Sequence, residues 1–159
     1  MTFTVNAPSS HSYGAEFEAR WRPISPLQLY GSLGLLRTKF GEFNTPNGDF
    51  TNKEYPEAPA YTVAAGGMYR DVSGWFAGAN MRYTDGYYSV GDLANTPLRF
   101  VDGYTTVDVR TGWETEHYTF TVFAKNVFDE QYVTSIESGR REATVGDERL
   151  AGVMLTGRF

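Results

Sequence analysis

The stretch Tyr13-Gly14-Ala15-Glu16-Phe17-Glu18-Ala19-Arg20-Trp21-Arg22 sorts its residues by parity. Tyr13, Ala15, Phe17, Ala19 and Trp21 form one set, and Gly14, Glu16, Glu18, Arg20 and Arg22 form the other. In an extended strand, successive side chains point to opposite faces, so one face is wholly apolar and the other almost wholly charged. An amphipathic helix would instead repeat its apolar residues every three or four positions. A half-buried strand of a soluble sheet carries the same signature once. The rest of the chain decides between the two settings.

The alternation recurs outward from this stretch. Leu27, Leu29, Gly31, Leu33 and Leu35 oppose Gln28, Tyr30, Ser32 and Gly34 within a strand predicted over Leu27 to Thr38. Comparable strands are predicted over Tyr61 to Arg70, Trp75 to Thr84, Thr105 to Trp113, Tyr118 to Lys125 and Ala151 to Phe159. That makes about seven strands, close to the ~10-residue length of transmembrane β-strands. Short connections at Pro23–Pro26, Asp71–Ser73 and Thr115–His117 alternate with long ones at Gly41–Ala58, Asp85–Gly103 and Ile136–Glu148. Outer-membrane barrels have this asymmetry, with tight periplasmic turns and longer extracellular loops.

The aromatic residues follow the same order. Trp21, Tyr69, Trp75, Trp113 and Tyr118 flank short turns on the apolar parity, and Phe159 ends the chain at that level. Amphipathic rings favour the membrane–water interface, so these residues read as the periplasmic girdle, with Tyr13, Tyr61 and Tyr83 opposite. The competing soluble architectures place the rings in a sandwich core, or turn the apolar face inward as in a lipocalin-like barrel. Neither explains why every Trp lies at one end. The fold expected is all-β, an antiparallel transmembrane β-barrel segment with short periplasmic turns and long extracellular loops.

Composition narrows the function. The 159 residues carry 16% aromatics, no Cys and a net charge of -5. No run approaches the ~20 apolar residues of a membrane helix. Absent thiols exclude disulfides and thiolate metal sites, and the mildly acidic balance argues against nucleic acid as a partner. His11 and His117 are the two histidines, each in a turn or loop start, so neither a catalytic triad nor a transition-metal site is legible. Acidic residues in Gly41–Ala58 and Asp85–Gly103 lack EF-hand spacing. A non-enzyme without a cofactor is expected.

Seven strands are an odd number, whereas bacterial single-chain barrels have even numbers. Met1–Ser12 offers Phe3 and Val5 and then Asn6-Ala7-Pro8-Ser9-Ser10, which is turn chemistry rather than an eighth spanning strand. The N-terminus also lacks the basic and apolar regions of a signal peptide. The expectation is an incomplete barrel whose remaining strands lie upstream.

Specific motifs then resemble a known family. Phe123-Ala124-Lys125-Asn126-Val127-Phe128-Asp129-Glu130-Gln131-Tyr132 resembles the penultimate-strand signature of TonB-dependent receptors, and Gly146-Asp147-Glu148-Arg149 with the terminal Gly157-Arg158-Phe159 is similar to that family's C-terminus. Tyr13 to Glu18 resembles its recurrent strand start. Glu148 stands where the family usually has Pro, and Gly157 where an aromatic is common. The resemblance implies residues 1–159 as the C-terminal part of the receptor barrel, with the plug domain and N-terminal strands elsewhere. It further implies the bacterial outer membrane, uptake of a ferric siderophore or similar scarce ligand, and TonB as partner in the full-length receptor. Phe159 would engage the barrel-insertion machinery. The alternative is a small self-standing outer-membrane barrel with a structural or adhesive role.

Ligand contact in that family comes largely from extracellular loops. The candidates are Tyr87, Tyr88, Arg99, Arg140 and Arg141, because Arg and aromatic rings suit anionic planar chelates. Tyr87 and Tyr88 equally fit the upper girdle, and Arg140 and Arg141 equally fit the phosphates of lipopolysaccharide beside the outer-membrane lipid. Asn126, Phe128, Asp129 and Tyr132 are motif residues expected to shape local structure. Glu16, Glu18, Arg20, Arg22, Arg70, Arg82, Asp108, Arg110, Lys125 and Arg158 should face the lumen, where ions meet water or each other.

Overall fold

A computed structural model describes residues 9–137 and 142–158. Seven long strands run β1 (Ser10–Ile24), β2 (Leu27–Phe40), β3 (Tyr61–Arg70), β4 (Trp75–Thr84), β5 (Tyr104–Glu114), β6 (Tyr118–Lys125) and β7 (Leu150–Gly157). They form one antiparallel sheet in which each strand pairs with its sequence neighbours. Among the described residues β1 and β7 each pair on one side only, so the sheet is open. Phe159, Arg140 and Arg141 lie outside the described residues.

Register carries one parity through the whole sheet. Phe17 opposes Leu33, Leu33 opposes Val63, and Val63 opposes Tyr83. Further along, Ala79 opposes Val109, Val109 opposes Ala124, and Ala124 opposes Ala151. Antiparallel partners share a face, so a slip of one residue anywhere would mix the charged and apolar sets. The one irregularity in the seven-stranded sheet lies between Trp21 and Ile24, at Pro23, which has no N–H to give the ladder.

The apolar parity lies open along the sheet, and on β4 and β6 it is the more exposed of the two. Phe17, Trp21, Val153 and Leu155 are 60%, 65%, 69% and 71% exposed. A contiguous apolar face of this extent has no place in water; the same face is the outer wall of a membrane barrel. At its turn end, Trp75 opposes Trp113 and Trp113 opposes Phe120. Trp113 donates its indole N–H to the Ser73 carbonyl at 2.9 Å, seating the ring against the Asp71–Gly74 turn. Gly74 holds that turn at φ +94, where a side chain would be strained and would collide with the Glu114 carbonyl. At the other end Tyr61 stacks on Tyr83 at 5.4 Å.

The connections differ from expectation in two respects. The third long connection begins at Asn126 rather than near Ile136, because the strand ends where Asn126 turns to φ +46. The final strand is Leu150–Gly157, beginning one residue before the expected Ala151–Phe159 run and ending two residues before it does. All three long connections also carry a short two-stranded pairing: Asn44–Thr45 with Gly48–Asp49, Tyr87–Tyr88 with Phe100–Val101, and Val133–Ile136 with Ala143–Val145. Among the described residues, the buried apolar side chains are Phe43, Phe76 and Val101, two of them in these loops.

The two faces should respond oppositely to charge. In the full-length protein refolded into lipid, Leu33→Arg on the outward face should cost about 2–4 kcal/mol of stability in a denaturant titration. Ser32→Arg, inward and opposite Glu18, should change it by less than about 1 kcal/mol.

Candidate functional site

The charged parity lines the concave side. One row across the sheet reads Arg20, Tyr30, Gly66, Asn80 and Asp108. Tyr30 lies over Gly66 and donates its hydroxyl to Asn80 Oδ1 at 2.9 Å. A Cβ at Gly66 would stand 2.7 Å from the Tyr30 ring and from Asn80 Oδ1, so the row needs glycine between its two polar ends.

Ion pairs run along the same face. Arg82 meets Asp108 at 3.0 Å, Arg20 meets Glu18 at 2.7 Å, and Glu114 takes Arg70 at 2.6 Å and Arg158 at 3.5 Å. The Arg70 guanidinium also lies 5.3 Å from the Phe76 ring centroid. The cations are largely exposed, so each pair contributes less than about 1 kcal/mol and chiefly sets orientation. Arg22, Arg110 and Lys125 make no ion pair among the described residues, and on the acidic side Glu16 makes none. The inward face therefore carries excess positive charge although the chain's net charge is -5. Arg20 with its partner Glu18, Arg22, Gln28, Tyr30, Asn80 and Arg110 line a concavity of about 610 Å³, in which Arg22 and Arg110 have no carboxylate partner among the described residues. Guanidinium forks beside amide and phenol groups suit carboxylate or other oxyanionic ligands.

Above this wall, Asn126 builds the base of the third loop. It is 3% exposed, its amide donates to the Glu130 and Asp147 carbonyls at 2.9 Å each, and its Oδ1 accepts the Glu130 N–H at 2.9 Å. Its own N–H goes to Asp108 Oδ1 at 3.0 Å, so Asp108 joins the lumen row to the loop. Asp129, at φ +57, accepts the Arg149 N–H at 3.1 Å. Asn and Asp tolerate this left-handed backbone better than most side chains. Tyr132 stacks on Tyr104 with centroids 4.1 Å apart, whereas Phe128 is 77% exposed.

Tyr87, Tyr88 and Arg99 come together, but mainly in loop-to-loop contacts. Tyr87 donates its hydroxyl to the Thr134 carbonyl at 2.8 Å. Burial, followed by the Tyr104 and Glu57 charges, pushes the Tyr87 phenol above its ordinary value. Tyr88 meets Phe100 edge-on at 5.2 Å, and its carbonyl takes the Glu57 N–H at 2.8 Å. Arg99 reaches the Val90 and Ile136 carbonyls and Asp92, with its side chain only 15% exposed. It clamps the second loop to the third and presents little of itself to a ligand.

Sequence reading missed the partners in this clamp. Ser89 is fully buried, faces Ser135 Oγ at 3.3 Å and accepts the Ile136 N–H at 2.6 Å. Asp92, 2% exposed, accepts both the N–H and the hydroxyl of Thr96. Nothing local marks the Ser89 side chain, whose partners lie more than forty residues away; Asp92 four residues before Thr96 is ordinary turn chemistry. Tyr30 and Asn80 were legible only as members of the polar parity. Among the described residues no three His, Asp or Glu side chains gather in a group suited to a metal ion.

The sequence profile of the TonB dependent receptor-like β-barrel family matches residues 1–127. Among solved structures, the siderophore receptor PiuA of Acinetobacter baumannii matches at 19% identity and a TM-score of 0.75, covering 92% of this chain and 21% of PiuA. The ferric yersiniabactin uptake receptor FyuA of Yersinia pestis matches at 22% identity and a TM-score of 0.77, covering 92% and 23%. The copper transporter OprC matches at 16% identity and a TM-score of 0.71, covering 92% and 22%. At these identities the likeness concerns the fold, and the chain spans about a fifth of the length of these proteins.

Two outcomes follow for the loops. Asn126→Ala should cost about 2–4 kcal/mol, because it strands buried backbone groups; faster hydrogen exchange confined to 126–149 would register it. Because burial and the Tyr104 and Glu57 charges raise Tyr87, its neutral phenol favours the folded loops below the ordinary phenol range, and that contribution is lost as pH rises through the higher folded value. Tyrosinate absorbance of the receptor minus that of Tyr87→Phe should show this group titrating above the ordinary phenol value.

Proposed function

This chain belongs to the TonB-dependent receptor-like β-barrel family, whose members are outer-membrane receptors, and we propose that it forms the C-terminal wall of a receptor importing a ferric siderophore or a similar anionic chelate. One observation carries the reading. A seven-stranded sheet with an outward apolar face has edge strands that need partners, since lipid cannot satisfy open edges. Further strands of the same protein would supply those partners, and a plug domain within the barrel would face the charged wall.

Two observations support the choice of ligand. The inward face is cationic, with Arg22, Arg110 and Lys125 unpaired among the described residues. Such a lining favours passage of anionic chelates by lowering their electrostatic cost. The extracellular loops are cross-tied, with Asn95 and Glu54 exchanging two hydrogen bonds between the first and second, and Arg99 joining the second to the third. A rim fixed in this way supplies ordered ligand contacts without an ordering cost at binding. Energy would come through TonB in the full-length protein. The roles proposed for these residues are electrostatic lining and loop positioning rather than catalysis.

Uptake of radiolabelled iron by iron-starved source cells tests the reading. Deleting the gene that encodes this chain should lower uptake of at least one ferric siderophore by ten-fold or more, and loss of TonB should do the same. An immunoblot with antibody to the 41–60 loop should find a protein several times larger than 159 residues in the outer membrane. Unchanged uptake of every siderophore tried, together with a band at the size of this chain, would overturn the proposal.

A further inference from the structure

The outward face of the seven strands is uncharged but for two residues. Tyr, Trp, Phe, Val, Leu, Met, Thr, Ala and Gly fill that parity on β3 to β7, and β1 adds His11 and Tyr13. Only Arg37 and Lys39, both on β2, carry formal charge there. Both side chains are exposed, and neither makes an ion pair among the described residues. An outward cation at mid-membrane would cost about 2–4 kcal/mol, falling toward zero near the interface, so its height decides what it does.

The height is fixed by register. Leu35 opposes Tyr61, and Tyr61 stacks on Tyr83 to mark the upper aromatic level. Arg37 lies two residues beyond Leu35 and Lys39 four, or about 7 and 13 Å further along the strand. Rings of this kind sit at the boundary between hydrocarbon and headgroups, so both cations emerge among the headgroups of the outer leaflet. The strands that carry them are built to reach there: β1 and β2 have 15 and 14 residues, against 8–11 for the other five. On β1, Tyr13 opposes Arg37 and His11 opposes Lys39. These four residues line a concavity of about 400 Å³ with Asn52 and Glu54, whose carboxylate pairs with neither cation.

We propose that Arg37 and Lys39, flanked by Tyr13 and His11, bind the phosphate groups of an outer-leaflet glycolipid. A guanidinium fork and an ammonium on one strand, two residues apart on the same face, suit a phosphorylated headgroup, with the Tyr13 ring packing against its sugar or upper acyl segment. Beside a lipid layer each cation is attracted by anionic headgroups, whereas the same pair facing bulk water would gain little from free phosphate. The inference rests on the outward face lying in the membrane and is independent of the imported ligand.

Native mass spectrometry of the intact receptor, with diphosphorylated lipid A added in detergent, tests the site. Retained lipid should fall ten- to thirty-fold in Arg37→Gln/Lys39→Gln and stay unchanged in Arg149→Gln. Dephosphorylated lipid A should be held by the unsubstituted receptor no better than the double variant holds the phosphorylated form, and inorganic phosphate should not displace the lipid. Undiminished retention in the double variant, an equal fall in Arg149→Gln, equal retention of dephosphorylated lipid, or displacement by phosphate would each overturn the proposal. A receptor soluble without detergent would contradict the membrane reading itself; a detergent-dependent, heat-modifiable receptor with unaltered lipid retention contradicts the site alone.

Discussion

Backbone in hydrocarbon has no water to pair with, so each strand must find its neighbour along its full span. The rest of this structure follows from that constraint. It requires an unbroken antiparallel ladder, and the ladder holds one parity from Phe17 through Leu33 and Val63 to Tyr83, and onward from Val109 to Ala151. A constant parity separates two solvents, with Val and Leu facing lipid and Arg, Asp and Glu facing the lumen. The departure at Pro23 sits beside a turn, where a carbonyl left without a donor can be reached by water rather than lipid.

A wall one sheet thick has little interior beyond Phe76 and Thr121, and most of the buried side chains among the described residues lie in the loops. Phe43 and Val101 are buried in the extracellular loops, as are Ser89 and Asp92, while Asn126 is buried at the base of the third loop. The phenylalanine cluster of Phe40, Phe43 and Phe50 caps β2, and the Tyr104–Tyr132 stack stands over β5. Asp108 links this upper region to the wall, taking the Asn126 N–H on one oxygen and Arg82 on the other. Loop positions are thereby set by contacts with the sheet as well as by their own turns. For the receptor proposed, rim and channel then act as one piece, with cationic Arg110 and Lys125 below a cross-tied opening.

The seven strands were legible because period two needs no knowledge of partners: each strand declares its faces within about ten residues. Pairing within each of the three short-turn hairpins follows too, since a short turn brings its two strands together, whereas pairing across the long connections came from the structure. The loop pairings were not legible. Gly48–Asp49 or Phe100–Val101 offers two residues of pattern, too few for any periodicity. Arg99 shows the limit most clearly. Its chemistry suits an anionic ligand, yet Asp92 and the Ile136 carbonyl occupy it, and Ile136 lies 37 positions away. Conversely, Arg37 and Lys39 belong to the outward parity in plain sequence. Their height above Tyr61 emerged only from the register of β2 against β3.

The central claim is that odd-numbered residues of β2 face lipid and even-numbered ones face the lumen. The chain has no Cys, so single cysteines carrying a spin label can be placed at each position from Leu27 to Leu36 in the intact receptor reconstituted in lipid. Accessibility to dissolved oxygen should peak at 29, 31, 33 and 35, and accessibility to a water-soluble nickel chelate at 28, 30, 32 and 34. Accessibility without a two-residue period, or with the two reagents exchanged, would contradict the account.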